Sequence, residues 1–175
     1  MSIKSRIRTI ENYPIEGVMF RDITTLLKDP IGLRSSIDAF VDRYKDLQID
    51  KVVAIESRGF LFASAVAYKM SKPLILIRKK NKLPAETYSE DFELEYGKAT
   101  IEIHKDSIGA KDKVIIIDDL IATGGTAMAA AKLVEKSGGK IESFVFVINL
   151  FDLGGKDLLE KNSYKSVVLI NFPGH

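Results

Sequence analysis

The chain has 175 residues, 46% of them hydrophobic and 29% charged, and 26 basic against 24 acidic residues leave a formal net charge of +2. That length suits one domain with a sizeable core, and the near balance of charge provides no electrostatic footprint for nucleic acid or an anionic membrane. There are no cysteines, which excludes disulfides, thiolate catalysis and cysteine-ligated zinc and suits a reducing, cytoplasmic setting.

The first residues, MSIKSRIRTIEN, mix charged and apolar positions without an apolar core segment, so no signal peptide is expected. Uncharged apolar runs stop at about five residues, far short of the ~20 of a membrane helix. The stretch Pro14–Thr24, PIEGVMFRDIT, reads as hairpin-like and outside any sheet. Its Phe20 suits either a core position or a stacking platform. A helix is expected over Ile31–Leu47, where Leu33, Ile37, Phe40, Val41 and Tyr44 recur at helical spacing behind an Asp29-Pro30 start signal.

The run VVAI (52–55) begins a series of strand-length apolar segments. It is followed by Glu56-Ser57-Arg58-Gly59, where Gly59 permits close backbone approach. Arg58 is suited either to forking onto phosphate oxygens or to a surface ion pair. A helix over Phe60–Met70 leads to the run LILI (74–77) and then to RKKNK (78–82). The segment Lys80–Phe92 has no apolar period and reads as a long loop, either a lid or plain surface. Beyond it, LEYGKATIEIH alternates as in an antiparallel pair turning at Gly97-Lys98. Glu95 there is either a sheet-edge carboxylate or a chemical group.

The run VIII (114–117) ends in Asp118 and Asp119, followed by Thr123-Gly124-Gly125-Thr126 and an Ala-rich helix over Thr126–Lys136 that stops at Gly138-Gly139. FVFVI (144–148), a short helix over Lys156–Lys161 and VVLI (167–170) complete the pattern. Val- and Ile-rich runs alternating with helices imply an α/β domain with a mostly parallel sheet buried on both faces. No internal repeat, low-complexity tract or linker divides the chain. With only His104 and His175, far apart, a histidine metal site is not expected.

The glycines at 124 and 125 allow a tight turn whose N–H groups face one concavity, with the positive end of the next helix behind them. Thr123 and Thr126 add hydroxyls. This suits a phosphate monoester, and no triphosphate-loop or dinucleotide fingerprint competes with it. Two carboxylates beside an anion site make sense if the ligand also carries a sugar, whose hydroxyls they would accept in charge-assisted hydrogen bonds.

VIIIDDLIATGGT resembles the phosphoribosyl-diphosphate (PRPP) signature of the type I phosphoribosyltransferases. The stretches Pro14–Thr24, Glu56–Phe60, Arg78–Pro84 with Leu94–Gly97, and the ending Asn149–Gly155 with Phe172–His175 are similar, in order, to the adenine-using branch of that family. Glu56 stands where some members have Asp.

The resemblance implies one phosphoribosyltransferase domain over 1–175, a mostly parallel twisted sheet flanked by helices. Residues 1–30 would contribute a hood and 80–96 a flexible catalytic loop. The implied reaction is adenine plus PRPP giving AMP and diphosphate, with Mg²⁺ carried by PRPP rather than by a protein site, and a homodimeric, cytoplasmic enzyme binding neither nucleic acid nor membrane. It implies the sugar phosphate on Asp118, Asp119, Ala122, Thr123, Gly124, Gly125 and Thr126. Diphosphate would fall to Ser57, Arg58, Arg78, Lys79 and Lys82, and adenine to Met19, Phe20 and Arg21, with ring stacking on Phe20 and backbone readout from its neighbours. Glu95 is implied as the proton-transfer carboxyl. Two alternatives stay open: a sister enzyme using another purine, against which VMFRDIT speaks, and a PRPP-binding regulator, which would carry an added DNA-binding segment or lack the catalytic-loop chemistry, whereas no helix-turn-helix is evident and the loop stretch is intact.

Overall fold

The structure, a computed structural model, describes residues 2–94 and 96–175. In chain order its elements are β1 (Arg8–Glu11), β2 (Met19–Asp22), α1 (Thr24–Leu27), α2 (Pro30–Tyr44), β3 (Lys51–Ile55), α3 (Gly59–Met70) and β4 (Leu74–Lys79). There follow β5 (Thr87–Glu93), β6 (Lys98–His104), β7 (Lys113–Ile121), α4 (Gly125–Lys136), β8 (Lys140–Leu150), α5 (Gly155–Lys161) and β9 (Ser166–Phe172).

The central sheet has the order β5-β6-β4-β3-β7-β8-β9. Its five strands from β4 to β9 are parallel, and the β5–β6 hairpin joins antiparallel at the β4 edge. The apolar runs are continuous because both faces are covered. Val52 and Ala54 of β3 join Ile115, Ile117, Val145 and Val147 under α2 and α3. Val53 and Ile55 join Ile116, Phe144 and Phe146 under α4.

Helix α2 begins as its sequence indicates. Asp29 accepts from the Ile31 and Gly32 amides, satisfying two of the otherwise orphaned donors of the first turn, and Pro30 occupies the first helical position. The helix ends at Tyr44, short of the expected Leu47.

The expected loop over Lys80–Phe92 requires correction. Only its first part is irregular, because Thr87–Glu93 is strand β5, paired with β6 at seven positions from Thr87↔His104 to Glu93↔Lys98. Tyr88 and Phe92 pack inward against the core under α4. Glu90 lies between them in the same alternation and masks the strand period; its charge is met by Lys136 Nζ at 3.0 Å. The turn before β5 is held by buried Glu102, which accepts from the Asn81 amide and the Ser89 hydroxyl, and by His104 Nε2, which accepts from the Ala85 amide. The pairing begins at Thr87, so the predicted antiparallel pair turning near Gly97 is longer than LEYGKATIEIH indicated.

At the other end, β1 and β2 form a separate two-stranded antiparallel sheet that shares no ladder with the main one. Asp22 fixes its base. Arg8 donates to Asp22 Oδ2 through Nε and Nη2, and Asp22 Oδ1 accepts from the Thr24 amide and hydroxyl.

Candidate active site

Ligands of open parallel sheets bind beyond the carboxyl ends of the strands, and the cleft here lies at that end of β3 and β7. It has a volume of about 380 Å³, and its lining includes Ser57, Arg58, Lys79, Asp118, Asp119 and the turn Ala122–Thr126. Strand β7 runs through both acids to Ile121, so the carboxylates sit on the rigid strand rather than on the loop beyond it.

Two close backbone approaches shape the cleft. Gly59 opens α3 directly against β7: a Cβ there would stand 2.8 Å from the Ile117 carbonyl oxygen and 3.0 Å from Asp118 Oδ1. Gly124 opens α4 with φ +91, a conformation that side chains resist, and it is backed by Gly155 of α5, whose amide donates to the Ala122 carbonyl at 2.9 Å. The glycine turn therefore rests on a second glycine from the far end of β8. Gly125 lies under the β5–β6 hairpin, where an added Cβ would come within 3.4 Å of the Glu93 carbonyl oxygen. The hairpin end thus stands beside the cradle.

The charges are arranged in tension. Arg58 Nε is 2.7 Å from Asp119 Oδ2, yet its N–H is not aimed at that buried oxygen, which is left without an aligned donor. Asp118 lines the cleft and accepts from the Asp119 amide at 2.8 Å. Burial, then the neighbouring Asp119 charge, raises its carboxyl well above the usual carboxylate range. A site of this kind can accept hydroxyl hydrogens and bind a cationic or proton-donating group, while the turn beyond it presents N–H groups to an anion.

The other predicted residues are placed as follows. Lys79 reaches the cleft, but Arg78 turns to Glu56, with Nε 3.3 Å from Oε2, and Nη1 donates to the Lys82 carbonyl. Burial opposes charge on Glu56, but the Lys79 amide and Arg78 outweigh it and lower its pKa. Lys82 is exposed on the turn before β5 and does not line the cleft. Met19, Phe20 and Arg21 lie on β2, outside the lining. Phe20 is linked to the cleft through Arg58, whose guanidinium carbon is 5.8 Å from its ring centre, and Tyr13 meets the same ring edge-on at 5.1 Å. The Arg21 side chain is buried away from Phe20 and donates to Thr9 and to the Pro173 carbonyl. Glu95 lies outside the described residues.

Glu56, Ile121, Phe146 and Gly155 also shape the site and were not marked by their residue types. The Gly154-Gly155 pair was the available signal for the last of these, but its contact with Gly124 spans about thirty residues and depends on the β7–β8 neighbourhood.

Residues 22–173 match the family model described as a phosphoribosyl transferase domain. Over 175 residues, covering all of both chains, the sequence is 63% identical to the adenine phosphoribosyltransferase of Pelagibacter ubique. The crystal structure of adenine phosphoribosyltransferase from Thermoanaerobacter pseudethanolicus superposes with a TM-score of 0.92 at 42% identity, covering 97% of this chain and 98% of the other. The Saccharomyces cerevisiae enzyme, complexed with an imino-altritol bisphosphate and adenine, gives 0.90 at 35% identity, with 96% of each chain covered.

Proposed function

The chain belongs to the phosphoribosyl transferase family, and on that premise we propose that it transfers the 5-phosphoribosyl group of PRPP to adenine, giving AMP and diphosphate. The observation that carries this reading is the 63% identity along the full 175 residues to an adenine phosphoribosyltransferase. A match of that extent takes in the base-side hairpin as well as the sugar-phosphate cleft.

In this reading the 5-phosphate sits in the turn Ala122–Thr126, on backbone N–H groups at the start of α4. The ribose hydroxyls donate to Asp118 and Asp119. Ser57, Arg58 and Lys79 face the diphosphate, and Arg58 exchanges Asp119 for phosphate oxygens. Arg78 and Lys82 join only by turning from their present partners. Adenine stacks on Phe20, with backbone groups of Met19 and Arg21 reading its edge. A wrong base would leave buried polar groups unpaired, the strongest form of discrimination.

The adenine N9–C1′ bond forms as the C1′–oxygen bond breaks; diphosphate leaves with the electron pair, and the N9 proton departs. Positive charge develops on the ribose ring, where the acid pair favours it. Glu95 is assigned the proton balance by resemblance alone. The β5–β6 hairpin beside Gly125 is suited to excluding water from this step.

Mg²⁺ arrives with PRPP. Among the described residues no three potential ligands cluster to hold a metal, and the carboxylate pair fits an ion carried mainly by substrate oxygens and water. The protein acts as a cytoplasmic homodimer. Exposed Leu61 and Tyr68 lie two turns apart on α3 and support association through that face. Among the described residues no helix is long and apolar enough to cross a membrane.

A purine panel assayed with PRPP and Mg²⁺ tests this. AMP and diphosphate should appear in equal amounts from adenine and not from guanine, hypoxanthine or xanthine. Turnover with one of those bases and none with adenine would replace the substrate, and tight PRPP binding without diphosphate release would make the chain a binding module.

A further inference from the structure

The C-terminal residues take no part in the chemistry above, yet they close on the base-side hairpin. Arg21 is only 8% exposed. Its Nη1 donates to Thr9 Oγ1 at 2.6 Å and its Nη2 to the Pro173 carbonyl at 2.9 Å, while Nε has no partner among the described residues. The guanidinium carbon lies 4.7 Å from the centre of the Phe172 ring, against which Lys4 Nζ also sits at 4.8 Å. The tail is anchored in turn: the Gly174 amide donates to Asp152 Oδ1 at 2.6 Å, just after β8.

Side chains alternate across a strand. On β2, Phe20 therefore faces Arg58 and the cleft while Arg21 faces the tail. An isolated two-stranded hairpin is marginal in water, and this one has no ladder to the main sheet. Its tilt toward the cleft is set by what its other face grips, and Arg21 grips the end of β9. A cation buried with no carboxylate partner among the described residues is a costly way merely to fill space; its fork and planar stacking are suited to fixing orientation.

We propose that Arg21 and the tail Phe172–Gly174 form a clasp that positions Phe20 for the purine, making them positioning residues for base binding. This rests on Phe20 being the adenine platform. Phe20 moves with β2, whereas the phosphate turn and the acid pair are built on β7 and α4. Loosening the clasp therefore weakens adenine and spares PRPP.

The test is steady-state kinetics on the full chain, varying adenine and PRPP separately. Arg21→Ala should raise the KM for adenine roughly tenfold, the scale of one charge-assisted hydrogen bond, with the KM for PRPP near the parent value. Arg21→Lys should recover part of the loss, since it keeps a donor for the Pro173 carbonyl but not the fork to Thr9. Asp152→Ala, at an exposed position outside the cleft lining, removes the acceptor that holds the Gly174 amide while leaving the hairpin side chains in place, and should shift adenine in the same direction. It decides the matter if Arg21→Ala does not fold. An unchanged adenine KM in Asp152→Ala, or parallel rises for both substrates, overturns the clasp. Failure of the parent chain to use adenine would instead remove the proposed function, so the two failures are distinct.

Discussion

Arg58 and Asp119 form an ion pair, 2.7 Å from Nε to Oδ2, across the mouth of the cleft, between the loop after β3 and the carboxyl-terminal part of β7. The arginine is half-exposed and the aspartate buried, so the pair is one mobile cation covering one fixed anion. The same guanidinium stands over Phe20, which places a single side chain between the cleft and the β1–β2 hairpin.

Replacing Arg58 separates its two roles. Arg58→Ala should lower kcat/KM for PRPP by about 10²-fold, the scale of a lost bidentate phosphate contact. Its effect on stability should be small, about 1 kcal/mol or less, because the Arg58 end of the pair is half-exposed and screened and its N–H is not aligned on the oxygen. PRPP kinetics and a thermal melt check both; a large loss of stability with normal PRPP kinetics would make the arginine structural.

Asp118 carries a sign that can be tested. Its pKa in the folded state is raised, by burial and then by Asp119, so it contributes stability below the ordinary carboxylate pKa that is lost as pH rises through the folded value. Asp118→Asn removes the ionisation. Its melting temperature should exceed the parent's by a margin that widens as pH rises above the ordinary carboxylate range, while turnover collapses. A margin independent of pH would contradict this account of the charge pair.

Asp22 has the opposite sign. Hydrogen bonds from Thr24 and then from Arg8 lower its pKa to about 2. Its stabilisation is present above the unfolded value of 3.8 and is lost as pH falls through about 2. Asp22→Asn should melt below the parent at pH 7, with the gap closing in strong acid. A gap that persists at the acid end would mean that lost packing, not charge, is responsible.

Gly155 supports the turn Ala122–Thr126 from behind. An added Cβ would collide with the Ala122 carbonyl and stand 2.8 Å from the Gly124 nitrogen. Gly155→Ala should weaken AMP binding roughly tenfold or more by displacing the turn, although the residue lies outside the cleft lining. Calorimetric titration with AMP measures it, and unchanged affinity would show that the turn holds its shape unaided.

The strand runs, the helix starts and the cleft-forming stretches Ser57–Arg58, Asp118–Asp119 and Ala122–Thr126 were legible in the sequence, because each depends on neighbours a few residues away: two-sided burial makes apolar runs, Asp29 caps its own helix, and glycines mark a turn wherever it occurs. Strand β5 was not legible, since Glu90 occupies an inward position whose neutralising partner, Lys136, is 46 residues distant. The pairing of Arg78 with Glu56, the Gly124–Gly155 contact and the hold of Arg21 on the tail were equally hidden. These were decided only when the parallel sheet set β4, β3, β7, β8 and β9 side by side: a side chain's partner across a crossover is chosen by strand order, which local pattern does not encode.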